Sequence, residues 1–241
     1  MENALNEHGQ PIGKLVNDWI VPEAPQRKVI SGQYCKLVPL DAANHAAELF
    51  QAFEKDSLGQ NWTYLPYGPF QELDQFHMWL SEQSEKVDPL FFAVVEAESG
   101  FAVGVASFMR IAPSMGTIEI GHIHFSPALQ GTVAATEALY LMLQNVFALG
   151  YRRCEWKCNA FNEASRRAAL RLGFSFEGIF RQAGVVKGRN RDTAWFSMLD
   201  NEWPVLCQAF ELWLKPANFS SGGNQLQRLS ELTKNAIVKF T

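Results

Sequence analysis

Apolar residues follow two spacings along this chain, one typical of strands and the other typical of helices. Alternating or continuous apolar runs predict strands over 33–40, 90–96, 102–110, 117–125, 151–158, 175–186 and 193–199. Apolar residues that recur every three or four positions predict helices after Asp41 and over 71–85, 132–149, 162–172 and 202–214. The pattern predicts a mixed α/β domain, with a central sheet of about seven strands and helices on both faces.

The connections between these elements predict how the strands pair. Short turns separate the three strands between residues 90 and 125, which is typical of an antiparallel meander. The crossover from strand 117–125 to strand 151–158 contains a helix and is long enough for parallel pairing. A mostly antiparallel mixed sheet is therefore expected.

Residues with special backbone roles mark several boundaries. Asp41 and Asn162 stand where a side chain can cap a helix, and Gly173 stands where a helix can end. The segment 59–70 is rich in Gly, Pro and aromatic residues and predicts no regular element.

Both ends of the chain differ from this pattern. Residues 1–31 carry three prolines and little periodicity, which predicts an irregular arm in which Trp19 and Ile20 dock. Beyond Pro216, the Ser-Ser-Gly-Gly stretch at 220–223 predicts a linker to an amphipathic tail. The expected organisation is an arm (1–31), one domain (32–215) and a tail (216–241). Either end could cover a sheet edge or build a homodimer.

Composition excludes several classes of protein. The net charge of −4 over 241 residues disfavours a broad nucleic-acid surface, because phosphate binding needs clustered Lys and Arg. The apolar runs are far shorter than the roughly 20 residues of a membrane helix, and the N-terminus lacks an apolar signal segment. Four cysteines do not make a disulfide framework in a chain of this size. We expect a reduced, cytoplasmic protein that does not bind membranes.

The stretch 125–138 carries the clearest candidate chemistry. A strand ends there, a Pro-containing loop follows, and a helix opens with small residues. Small side chains let a ligand approach the backbone, and the first helical N–H groups lie at the positive end of the helix dipole. The stretch is therefore either a pyrophosphate cradle or an ordinary strand-to-helix turn.

Two sequence runs carry a resemblance to a known family. The first is Glu119-Ile120-Gly121 followed by residues 130–138, and the second joins Asn162-x-x-Ser165 to Leu172-Gly173-Phe174 and Glu177-Gly178. In this order they resemble the GNAT acetyltransferases, and most of all the Rim-type branch, whose members acetylate ribosomal-protein N-termini. Gln130 and Ala135 match the ends of the superfamily's pyrophosphate signature, while Val133 stands where a middle glycine is usual.

This resemblance implies a GNAT fold with a splayed parallel strand pair and acetyl-coenzyme A as donor. The pantetheine arm would lie between strands 117–125 and 151–158, with the phosphates at the N–H groups of 131–135. The implied coenzyme contacts are Ile123, His124, Phe125, Gln130, Gly131, Thr132, Val133, Ala134, Ala135, Asn162 and Ser165. The acceptor would be a primary amine, either a protein N-terminus or a small molecule, and no metal is expected.

Direct acetyl transfer to an amine defines the catalytic candidates. A base must take the amine proton, and Glu119 ranks first because a strand carboxylate here resembles the base of many GNAT enzymes. His122 ranks second, because its ordinary pKa suits proton uptake near neutrality. Ser165 could protonate the leaving thiolate. In a regular strand His122 would share a face with Ile118 and Ile120, opposite Glu119, and a bulge would break this alternation.

Other polar and aromatic residues have two interpretations each. Trp62, Tyr64 and Tyr67 either contact the acceptor or anchor their loop to the core. His122 and His124 have same-face spacing for a metal but no third ligand nearby, and Cys154 and Cys158 are expected to be buried thiols. Two small basic groups either face solvent or meet phosphates or an acidic acceptor: Arg152, Arg153 and Lys157, and Lys187, Arg189 and Arg191.

Three other functions stay open from the sequence. The first is an enzyme of the same fold with another acyl donor, such as succinyl-coenzyme A. The second is a coenzyme A-binding module without turnover, which Val133 motivates. The third, based on the two basic groups, is association with nucleic acid.

Overall fold

Two faces of one mixed sheet carry all six helices in the computed structural model, which describes residues 4–237. The strands are β1 (Ala4–Leu5), β2 (Pro11–Ile12), β3 (Ile30–Ser31), β4 (Cys35–Pro39), β5 (Leu90–Glu96), β6 (Ala102–Ala112), β7 (Thr117–Phe125), β8 (Arg153–Asn159), β9 (Ser175–Val186) and β10 (Arg189–Leu199). The helices are α1 (Ala42–Glu54), α2 (Leu73–Glu85), α3 (Val133–Ala148), α4 (Glu163–Leu172), α5 (Trp203–Leu214) and α6 (Leu229–Ile237).

The main sheet has eight strands in the order β3-β4-β5-β6-β7-β8-β10-β9. Neighbouring strands are antiparallel except β7 and β8, which run parallel as predicted. The strand beyond the seven expected is the short β3, which lies within the residues assigned to the arm. β1 and β2 form a separate hairpin, so the arm is not wholly irregular.

Side-chain alternation along the strands defines the two faces. In β5, Phe92 and Val94 belong to the core cluster shared with α3, α4, α5 and α6. Phe91 and Ala93 belong to the smaller cluster shared with α1 and α2. Burial on both faces explains why this strand is a continuous apolar run.

Helix boundaries lie where the capping residues predicted them. Asp41 accepts the N–H groups of Ala43 and Asn44 at the start of α1, and Asn162 accepts the Ser165 N–H at the start of α4. Gly173 ends α4 with φ +95°, a left-handed conformation that favours glycine. One expectation was wrong in detail, because the loop 59–70 contains a 3-10 turn at Gln60–Trp62.

The two ends of the chain dock onto the main sheet and its helices. Trp19 lies against Gly116, as expected, but Ile20 is 83% exposed, so the expectation that it docks was wrong. In α6, Leu229 and Thr233 are buried, and the Thr233 hydroxyl donates to the Arg171 carbonyl at 3.1 Å. The segment beyond Pro216 therefore packs against α4 and α5. The domain boundaries stay a prediction.

Candidate active site

A gap opens in the sheet between β7 and β8. The two strands pair only at Thr117–Arg153, Ile118–Cys154 and Glu119–Glu155. Beyond Glu119 the two strands diverge, so the edge of β7 that faces β8 has no strand partner. Unpaired backbone N–H and C=O groups at such an edge can bind an extended ligand as an added strand would.

The loop from β7 to α3 brings a helix N-terminus to the end of this gap. The buried Leu129 anchors the loop, the Gln130 side chain donates to the Phe125 carbonyl at 2.9 Å, and the Thr132 hydroxyl accepts the Ala135 N–H at 3.1 Å. With Thr132 engaged in this way, the N–H groups of Val133 and Ala134 in the first turn keep no intrahelical partner. The arrangement fits an anionic group at this end of the gap.

Gly131 marks the open side of this loop. Its φ is +75°, and a Cβ added there would meet no atom within 4 Å. By contrast, Ala134 and Ala135 are buried in the core, and Val133 packs against it. These three residues, all predicted to bind phosphate, turn their side chains towards the protein. Only their backbone is therefore available to a ligand.

A β-bulge at His122 re-aims the side chains of β7. The register with β6 shifts between Val105 and Ser107, opposite His124 and Gly121, and His122 has φ +50°. Ile118 and Ile120 lie in the α3-side core, and Ile123 and Phe125 return to it after the bulge. The regular-strand expectation was therefore wrong: His122 and His124 lie on the opposite face from Ile118 and Ile120, and on the same face as Glu119.

His122 forms a pair with a residue of the aromatic loop, which we define as residues 59–70. The Tyr67 hydroxyl lies 3.2 Å from His122 Nδ1, and the two rings are stacked at 21°. Burial, aided by the positive charges of Arg110, Lys86 and Arg191, lowers the pKa of His122 to about 4. The imidazole is therefore neutral at pH 7, so one ring nitrogen keeps a lone pair, while burial opposes its protonated form.

His124 has a different environment. Its ring lies 3.9 Å from that of Trp62 and 4.2 Å from that of Phe53, and the residue is 3% exposed. Burial lowers its pKa to about 4, against a weaker opposing effect of Asp56. His124 is thus a core histidine on this face, and any coenzyme contact from it would come from the backbone.

Both histidines make stability depend on pH. Above about pH 6.5 both histidines are neutral in the folded and in the unfolded state. Between pH 6.5 and about 4 they bind protons only in the unfolded state, which lowers the stability of the folded state. We therefore expect the midpoint of thermal unfolding to fall by more than about 5 °C between pH 7 and pH 5. The double variant His122→Gln, His124→Gln should flatten this decline. Equal declines in this variant and in the exposed control His77→Gln would contradict the assignment.

Glu119, the first-ranked base, lies at the centre of a buried charge network. Its Oε2 is 2.6 Å from Arg110 Nη1 and 3.0 Å from Lys157 Nζ, and its side chain is 4% exposed. Lys157 also bonds Glu155 at 2.6 Å, which links β7 to β8 just where their pairing ends. A carboxylate bonded to two cations is well suited to holding the strands in position. To take a proton from a substrate, it would have to give up these bonds.

The charge network continues across the sheet. Arg153 bonds Glu155 at 2.9 Å and Glu177 at 2.5 Å, and Lys157 Nζ lies 3.8 Å above the Trp195 ring. Arg153 and Lys157 therefore pair with carboxylates of the protein itself, which neither sequence interpretation, a solvated surface or a site for phosphates or an acidic acceptor, had expected. The alternation Arg153-x-Glu155-x-Lys157, opposite the buried Cys154, Trp156 and Cys158, was the signal that could have indicated a charged strand face.

Asn162 and Ser165 lie at the start of α4, on the other face of the gap. The Asn162 side-chain oxygen caps the helix, which leaves its amide nitrogen for a ligand. The Ser165 hydroxyl oxygen accepts from Trp156 Nε1 at 3.0 Å and lies beside the Cys158 thiol. Ser165 and His122 thus approach the gap from opposite faces of the sheet.

The aromatic loop is anchored to the core at one residue and partly exposed at another. Trp62 is buried against His124, which anchors the loop to the core. Tyr64 is partly exposed, and its hydroxyl donates to the Phe161 carbonyl at 3.1 Å. Tyr67 is turned towards His122. Tyr64 is therefore the aromatic side chain best placed for contact with an acceptor.

Residues 4–237 contain neither a metal-binding cluster nor a membrane-spanning helix. No group of three or more His, Cys, Asp or Glu side chains there is arranged to hold a metal ion. No helix in that range combines the length and hydropathy of a membrane span.

This architecture and comparison with known proteins identify the family. The protein-family model described as "Acetyltransferase (GNAT) domain" matches residues 36–175, more than half of the chain. The chain therefore belongs to the GNAT acetyltransferases, and it is an enzyme that uses acetyl-coenzyme A.

Solved structures and curated relatives agree with this assignment. A GCN5-related N-acetyltransferase from Brucella melitensis is 49% identical, with a TM-score of 0.89 over 91% of this chain and 100% of that chain. A probable acetyltransferase of the GNAT family from Chromobacterium violaceum is 46% identical, with a TM-score of 0.76 over 81% of this chain and 98% of that chain. The ribosomal-protein-serine acetyltransferase of Escherichia coli (strain K12) is 38% identical over 82 residues, which are 34% of this chain and 45% of that protein. The last match confirms the Rim-type resemblance but spans less than half of that relative.

Proposed function

We propose that this enzyme transfers the acetyl group of acetyl-coenzyme A directly to a primary amine, at a protein N-terminus or on a small molecule. The observation that carries the proposal is the gap between β7 and β8, with the first turn of α3 at its end. The name of the Escherichia coli relative, a ribosomal-protein-serine acetyltransferase, favours a protein as the acceptor.

The donor site would use mostly backbone. The edge of β7 from Ile123 to Phe125 would pair with the pantetheine arm, and the N–H groups of residues 131–135 would receive the pyrophosphate. The Asn162 amide would bind the coenzyme arm from the α4 side. The donor supplies an electrophilic thioester carbonyl, and a backbone N–H of β7 would stabilise the negative charge that develops on its oxygen.

The acceptor side would centre on the pair of Tyr67 and His122. In the tautomer that carries a proton on Nδ1, His122 donates to the Tyr67 oxygen and presents Nε2 to the amine. We therefore place His122 ahead of Glu119 as the proton acceptor, directly or through a water. Glu119 would fix the gap through Lys157 and Arg110. Ser165 accepts from Trp156, and its own O–H, which lies beside the Cys158 thiol, would turn to donate to the leaving thiolate.

An acceptor panel tests the proposal. The full chain is incubated with acetyl-coenzyme A and a panel of peptides and small amines, while thiol release is followed and products are analysed by mass spectrometry. We expect release of coenzyme A together with a singly N-acetylated product. Binding of acetyl-coenzyme A without turnover on any amine would favour a non-catalytic module. Faster turnover with succinyl-coenzyme A would identify another acyl donor.

A further inference from the structure

Three segments around His122 are joined by hydrogen bonds. Lys187, at the tip of the β9–β10 hairpin, donates its ammonium to the Trp62 carbonyl at 2.9 Å. Tyr64 connects the aromatic loop to the turn before α4 through the Phe161 carbonyl. The hairpin and the loop are therefore held together, which gives the charged residues of the hairpin defined positions beside the site.

Three cations lie on segments that hydrogen bonds tie together beside the site. Asp88, two residues after Lys86, accepts the backbone N–H groups of Arg110 and Ile111, and the carbonyl of Asp192, next to Arg191, accepts the Ala160 N–H before α4. Arg110 comes from β6, Lys86 follows α2, and Arg191 is a half-buried residue of β10. Each lowers the pKa of His122, and no acidic group is among the causes of that shift.

Two of these cations, Lys86 and Arg191, form no ion pair with a carboxylate of the described residues. Across residues 4–237, no carboxylate lies within ion-pair distance of Lys86 or Arg191, and the Lys86 ammonium contacts the neutral Gln83 amide at 3.1 Å. Asp88 and Asp192 accept backbone N–H groups instead. Lys86 and Arg191 therefore have no carboxylate partner among the described residues, which suits them to an anionic ligand.

We propose that the acceptor is an acidic one, a primary amine with carboxylates close to it, as at a protein N-terminus followed by Asp or Glu. The inference rests on the proposed function and adds the chemical class of its acceptor. Lys86 and Arg191 bind the carboxylates and place the amine at His122.

Peptides that differ only in charge test this inference. Hexapeptides that begin with Ser carry Asp, Asn or Lys at positions two to four, and glutamate and glutamine represent small amines with and without the extra carboxylate. We expect kcat/KM for the Asp peptide to exceed that for the Asn peptide at least about tenfold at low salt, with the Lys peptide lowest and the preference reduced by salt. A preference confined to glutamate over glutamine would support the same chemistry from a small molecule.

Variants and a binding measurement complete the test. Arg191→Gln and Lys86→Gln should each reduce the preference for Asp over Asn several-fold, while the control Arg189→Gln, exposed on the same hairpin, should not. Peptide binding to the complex with coenzyme A is measured in parallel by calorimetry, so the preference is read even without turnover. Absence of turnover on every amine would contradict the proposed function. Equal affinity and equal kcat/KM for the Asp and Lys peptides would overturn the acidic-acceptor inference.

Discussion

Replacement of Gly131 by Asp is expected to weaken the binding of acetyl-coenzyme A at least about tenfold more than replacement by Asn. Both residues tolerate the left-handed φ of +75° at this position, and a Cβ there meets no neighbouring atom. The two variants therefore differ mainly in one negative charge beside the first turn of α3, where the pyrophosphate would lie. Calorimetric titration with acetyl-coenzyme A measures the difference.

Gly131 is a sharper probe of this site than Ala135. The Ala135 side chain is 8% exposed and part of the core, so a charge there would also disturb folding. Thermal unfolding of the Asp and Asn variants should give similar midpoints, which serves as the control. Equal affinities in the two variants would mean that the phosphates lie away from this loop.

Replacement of His122 by Ala is expected to slow acetyl transfer about 100-fold and to leave the affinity for acetyl-coenzyme A near that of the wild type. The imidazole is neutral at pH 7 and oriented by Tyr67, and after its removal the carboxylate on the same face, Glu119, remains bonded to Arg110 and Lys157. Single-turnover rates, with the acetyl-coenzyme A complex mixed with an accepted amine, separate this step from binding.

Two further variants decide between His122 and Glu119. His77→Ala changes an exposed histidine of α2 and should leave the transfer rate unchanged. Glu119→Gln leaves Lys157 with Glu155 alone, so it should lower the free energy of unfolding by about 3 kcal/mol but slow transfer less than His122→Ala does. Full activity in His122→Ala with loss of activity in a folded Glu119→Gln would reverse the assignment.

Local sequence signals predicted most of the fold. Asp41, Asn162 and Gly173 determine helix ends through contacts within a few residues, so their roles can be inferred from the sequence alone. The helix between strands 117–125 and 151–158 likewise predicted the parallel pair, because only a long crossover permits it.

The site depended on contacts that no local pattern encodes. The bulge at His122 arises from its register with β6, and it moves His122 to the face that holds Glu119. Lys157 has one partner, Glu155, two positions away on its own strand, but its other partner, Glu119, belongs to β7 and cannot be inferred from the local sequence. Tyr67 was expected to contact the acceptor, and its pairing with His122 spans 55 positions of the chain.

A crystal structure of the complex with acetyl-coenzyme A tests the central claim most directly. We predict that the pantetheine arm lies in the gap between β7 and β8, that the pyrophosphate contacts the N–H groups of residues 131–135, and that the acetyl group ends beside His122. A coenzyme bound outside this gap, or with its acetyl group away from the bulge, would contradict the account.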